Sequence, residues 1–88
     1  MRTDYLKIGK ERAARELTRH DSRLYIDEQS NDRVIIKADG IVTSQVKARL
    51  YDYNSSDVSG GTQIDYRGFA SDGISSGMKE FLDKYRLD

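Results

Sequence analysis

The chain has 88 residues, in which 15 Lys and Arg balance 15 Asp and Glu, with one His and no Cys, Pro or Trp. Without cysteine there is no disulfide framework, no thiolate metal site and no cysteine nucleophile. Apolar runs of two or three residues cannot span a membrane or form a signal-peptide core, and zero net charge argues against a general polyanion binder.

One small domain over residues 1–88 is therefore expected, located in the cytoplasm. A core of this size leaves little net stability, so homodimer formation is a natural supplement.

Residues 4–19 carry a run of strong helix formers, Lys10-Glu11-Arg12-Ala13-Ala14-Arg15-Glu16-Leu17, with Thr3 or Asp4 as a candidate N-cap. At 100° per residue Leu6, Ala13, Ala14 and Leu17 share one face, and Arg12, Arg15 and Arg19 share another. Gly9 weakens the first turn, so the helix could begin near Lys10.

Arg23–Glu28 and Arg33–Ala38 alternate as strands. A three-residue loop at Gln29-Ser30-Asn31 would set Ile26 opposite Val34 and Leu24 opposite Ile36. A second three-residue loop, Ala38-Asp39-Gly40 with Gly40 left-handed, would pair Ile36 with Val42 and Val34 with Ser44.

Residues 41–53 fit a strand through Val42, Val46, Ala48 and Leu50, and also a helical stripe through Val42, Val46, Leu50 and Tyr53. The β-branched start and the Tyr51/Tyr53 end favour a strand. Residues 54–61 are loop-like, residues 62–69 form the fourth strand, and Gly68 would be a bulge that turns Phe69 over. Ile74, Met78, Phe81, Leu82 and Tyr85 then make the apolar stripe of a C-terminal helix, which Ser75 or Ser76 would cap. The expected fold is α+β, a four-stranded antiparallel meander in the order α-β-β-β-β-α with both helices on one face.

Signals for enzymatic chemistry are weak. His20-Asp21-Ser22 holds three triad residue types side by side, but neighbours in sequence point apart, and a turn after the helix explains them. Asp52 opens a calcium-like loop that has Asp57 where Gly is required and Gln63 where a bidentate Glu is required. Asn54-Ser55-Ser56 matches a glycosylation sequon without a secretory signal. Gly60-Gly61 lies in no phosphate-loop pattern, and the Asp residues show no acid–base spacing. The chain is read as non-enzymatic, with no cofactor and no metal.

One constellation remains. If even strand positions face the helices, the opposite face carries Arg23, Tyr25, Arg33, Lys37, Lys47, Arg49, Tyr51, Tyr53 and Arg67 against only Asp27 and Asp65. Rings among cations suit a protein hot spot, and equally a platform for single-stranded nucleic acid.

The leading expectation is a small accessory or inhibitory factor, of the kind phages and mobile elements encode. It would dock on a protein through Tyr25, Arg33, Lys47, Arg49, Tyr51, Tyr53 and Arg67. The alternatives are a single-strand binder that uses the same face, with Arg12, Arg15 and Arg19 as an electrostatic arm, or a structural subunit of an assembly. Against the arm, Glu11–Arg15, Arg12–Glu16 and Glu16–His20 stand at ion-pair spacing.

Overall fold

Alternating apolar residues form a sheet only if a partner layer covers them, and two amphipathic helices supply that layer here. The computed structural model describes residues 2–40, 45–66 and 75–87. The strands are β1 (Arg2–Leu6), β2 (Leu24–Gln29), β3 (Arg33–Ala38), β4 (Gln45–Tyr53) and β5 (Gly61–Tyr66). The helices are α1 (Lys10–His20) and α2 (Ser75–Tyr85). The sheet is antiparallel throughout, in the order β1-β5-β4-β3-β2. One buried cluster joins Leu24, Val34, Ile36, Ala48, Leu50, Ile64 and Tyr66 of the sheet to Ala13, Ala14 and Leu17 of α1 and to Met78, Phe81, Leu82 and Tyr85 of α2.

The α+β class stands, but among the described residues the sheet has five strands rather than four, and the order is β-α-β-β-β-β-α. The expected helix over 4–19 is split. Residues 2–6 pair with β5, from Arg2 opposite Tyr66 to Leu6 opposite Thr62, and α1 begins at Lys10 after an extended Gly9 (φ −69°, ψ 160°). Left uncovered, β5 would present a row of unpaired backbone groups, which β1 satisfies while still burying Leu6. A strand is the solution for residues 45–53, not a helix.

Both hairpin registers differ from expectation. Ser30 N donates to Arg33 O at 2.9 Å, which leaves only Asn31 and Asp32 in the turn. Ile26 therefore lies opposite Ile36, and Leu24 opposite Ala38. A bulge at Asp27 then brings Glu28 opposite Ile35.

Between β3 and β4, Val34 faces Leu50 and Ile36 faces Ala48, so the connection is longer than three residues. This register seals four side chains at 1% exposure or less, and a longer loop adds little closure entropy. A second bulge at Lys47 sets Val46 opposite Lys37, which leaves Val46 half-buried and outside the core. The one described glycine with positive φ is Gly60 (72°), not Gly40. Val42, Ser44, Arg67, Gly68, Phe69 and Ile74, and the proposed cap at Ser75 or Ser76, lie outside the described residues or side chains.

Two polar clusters tie elements together. Lys10 is only 4% exposed, and its Nζ donates to Asp52 Oδ1 at 2.8 Å, joining α1 to β4. The bond to Asp52 outweighs burial and holds the ammonium above its ordinary value. The Tyr66 hydroxyl donates to Asp4 Oδ2 at 2.5 Å, and Arg86 Nε lies 3.2 Å from Asp4 Oδ1. Burial first, and Asp4 second, raise the Tyr66 phenol.

Lys10 and Tyr66 thus bind their protons more tightly folded than unfolded. The stability they contribute is complete below about pH 10 and is lost as pH rises through the folded values. Thermal melts should stay level from about pH 7 to about pH 9 and then fall. The double variant Lys10→Met/Tyr66→Phe should fall less steeply, and an identical alkaline slope would contradict this account.

Gly61 provides a steric test. A Cβ there would lie 2.6 Å from Leu6 O, 2.9 Å from Val58 Cγ1 and 3.3 Å from Tyr53 O, whereas at Gly9 it would meet only Gly60 O, at 3.6 Å. Gly61→Ala should cost about 1–3 kcal/mol in denaturant unfolding. Gly9→Ala should cost about 0.5 kcal/mol.

Candidate binding face

Register decides what the uncovered face displays. Across it run Tyr5, Gln63, Tyr51 and Arg33 in one row, and Thr3, Asp65, Arg49, Ile35 and Glu28 in the next. Tyr53 lies opposite Gly61 of β5. Tyr5 on β1 and Tyr53 on β4 meet there, with ring centroids 4.6 Å apart and planes tilted by 44°. Tyr5 is 40% exposed and is the one exposed large hydrophobic side chain among the described residues. Tyr5 is absent from the expected site because the sequence pattern places residues 4–6 in a helix. Thr3-Asp4-Tyr5-Leu6 shows no polar–apolar alternation, so its hydropathy carries no strand signal.

The face is less basic than strand parity implied. The Asp27 bulge turns Glu28 to this side, where Glu28 Oε2 accepts from Arg33 Nε at 3.1 Å and holds the Arg33 guanidinium above its ordinary value. Asp27 Oδ2 lies 3.2 Å from Lys37 Nζ. Arg23 is drawn away by Asp21, with Nη2 to Oδ2 at 2.6 Å and Nε to Oδ1 at 3.0 Å.

Asp65 accepts from Thr3 Oγ1 at 2.8 Å and from Gln63 Nε2 at 3.2 Å. Arg49, directly opposite Asp65, therefore has no ion-pair partner among the described residues. Of the other predicted site residues, Tyr25 is half-buried opposite Lys37 on the edge strand, and Lys47 is the extra residue of the β4 bulge. Arg67 lies outside the described residues. The structure thus gathers Tyr51, Tyr53 and Arg49 with Tyr5 across β1, β5 and β4, and leaves Tyr25 on β2, Arg33 on β3 and Lys47 in the β4 bulge.

The helical side takes the opposite course. Arg12, Arg15 and Arg19 are exposed along α1, and none of the three anticipated i,i+4 pairs forms. Glu11 instead lies 3.5 Å from Lys10, Glu16 lies 3.6 Å from Arg19, and Glu80 lies 3.6 Å from His20 Nδ1. The Arg12 guanidinium sits 5.7 Å over the Tyr85 ring, and the Lys84 ammonium 5.3 Å from it.

His20, Asp21 and Ser22 do not converge, since Asp21 is committed to Arg23. In the calcium-like loop, Asp52 is held by Lys10, and Asn54 Oδ1 accepts from Gly60 N at 2.8 Å. Among the described residues no helix is long and apolar enough to cross a membrane. No protein-family model, curated protein or solved structure matches the chain.

Proposed function

We propose that this chain is a non-enzymatic protein-binding module, an accessory or inhibitory factor that docks through the centre of its uncovered sheet face. One observation carries the reading. The Tyr5–Tyr53 ring pair stands on the same face as Tyr51 and Arg49, and Arg49 has no carboxylate of its own among the described residues. Tyr and Arg held rigidly on strands are the residue types that dominate binding hot spots.

The partner implied is a protein that presents an Asp or Glu to Arg49, within a small apolar surface that covers the tyrosines. A phosphate backbone fits this face less well. Glu28 and Asp27 already neutralise Arg33 and Lys37, so among the described residues these two cations are not available to a phosphate track.

The test is capture of the partner from a native lysate, followed by titration of the purified partner with wild-type chain and with Arg49→Ala/Tyr51→Ala. The double variant should bind at least about thirtyfold more weakly, equivalent to a loss of about 2 kcal/mol. Equal affinity from a variant that melts normally would overturn the reading.

A further inference from the structure

We propose that Lys7, Arg12, Arg15 and Lys84 form a second surface, on the helical side, that contacts the phosphate backbone of a nucleic acid without reading its bases. The case begins with what these cations lack. At their sequence spacing, Arg12, Arg15 and Lys84 each had a carboxylate within reach, in Glu16, Glu11 and Glu80. In the fold those carboxylates turn to Arg19, Lys10 and His20. All four cations are exposed, and none has an ion-pair partner among the described residues.

They are also close together. Lys7 N donates to Tyr85 O at 2.9 Å, while Arg12 and Lys84 both lie within 6 Å of the Tyr85 ring. Arg15 follows Arg12 by three residues, about 4.5 Å along the helix axis. Arg12 and Lys84 thus share the Tyr85 ring, with Arg15 one turn further along α1 and the Lys7 backbone beside them, and among the described residues no carboxylate pairs with any of the four.

A dense linear polyanion matches cations at this spacing, because phosphates recur every few ångströms along a strand. Neither α1 nor α2 contains an Asn or Gln, the usual readers of adenine, so the surface offers charge for phosphates and no adenine readout. An anionic bilayer suits the surface less, since among the described residues no large apolar side chain stands exposed beside these cations to insert.

The experiment is a fluorescence-anisotropy titration of a labelled oligodeoxythymidine of about 20 nucleotides, repeated between about 50 and about 200 mM salt. Four phosphate contacts predict a log–log slope near −3, and so an affinity loss of about fiftyfold across that range. Lys7→Gln/Arg15→Gln, which leaves both cations on Tyr85 in place, should bring the slope to about half. Adding Lys84→Gln should bring it to about −1.

Arg49→Ala/Tyr51→Ala should bind the oligonucleotide like wild type, which separates this surface from the sheet face. Absence of salt-dependent binding would overturn the proposal, as would an unchanged slope in the variants. So would equally tight binding of poly-glutamate, which would assign the surface to acidic protein. Binding to phosphatidylserine vesicles but not to the oligonucleotide would assign it to membrane.

Discussion

A sheet of five strands leaves two edges whose backbone groups must find partners, and the two edges are treated differently. β1 is enclosed on both sides, by β5 and by the segment after α2. Lys7 N donates to Tyr85 O, and Leu87 N donates to Tyr5 O at 2.8 Å. Leu6 forms a bridge with Arg86, whose side chain reaches Asp4, itself hydrogen-bonded to Tyr66. The beginning and the end of the chain are thus sewn to each other and to the sheet. That closure holds α2 against α1, with Phe81 and Tyr85 over the core. It also carries Tyr5 onto the uncovered face and Tyr85 beneath Arg12, so both proposed surfaces depend on it. The β2 edge has no such cover among the described residues, and it carries a bulge and the charged pair Asp27 and Glu28, features that discourage edge-to-edge association.

The parts of this fold that were legible in the sequence are those with strong local periodicity. Val34/Ile36 and Ile64/Tyr66 alternate, and Met78, Phe81, Leu82 and Tyr85 step at helical intervals, so their elements and inward faces follow from pattern alone. β1 was hidden because its burial comes late: of Arg2, Thr3, Asp4, Tyr5 and Leu6 only Leu6 is sealed. A short edge strand of mostly polar residues is stabilised by backbone pairing, which leaves no hydrophobic trace.

Bulges were invisible for a related reason. Nothing local marks Asp27 or Lys47 as an extra residue. What selects the bulges is the global match of Ile26 to Ile36 and of Leu50 to Val34. Register in turn reshapes the face, since a one-residue slip exchanges sides. Glu28 came to the open side and Val46 left the core, while Tyr51, Tyr53 and Arg49, beyond the slip, stayed where parity placed them.

Neutrality of the whole chain conceals an uneven distribution of charge. Residues 1–20 carry six basic and three acidic side chains, so the N-terminal fifth is positive and the remainder compensates. Folding then sorts these charges further. On the sheet face, bulge geometry supplies carboxylates to Arg33 and Lys37 and leaves Arg49 alone among tyrosines. On the helical face, the carboxylates are diverted to Lys10, Arg19 and His20, which strands Arg12, Arg15 and Lys84.

Exposed ion pairs contribute little to stability, so neither outcome is forced by the energy of folding. What the two arrangements do fix is chemistry. A single charge set among rings rewards one complementary protein surface, whereas four adjacent charges reward any closely spaced anion. The two surfaces lie on opposite sides of one small core, so a chain of this size can engage one partner through each without either obstructing the other.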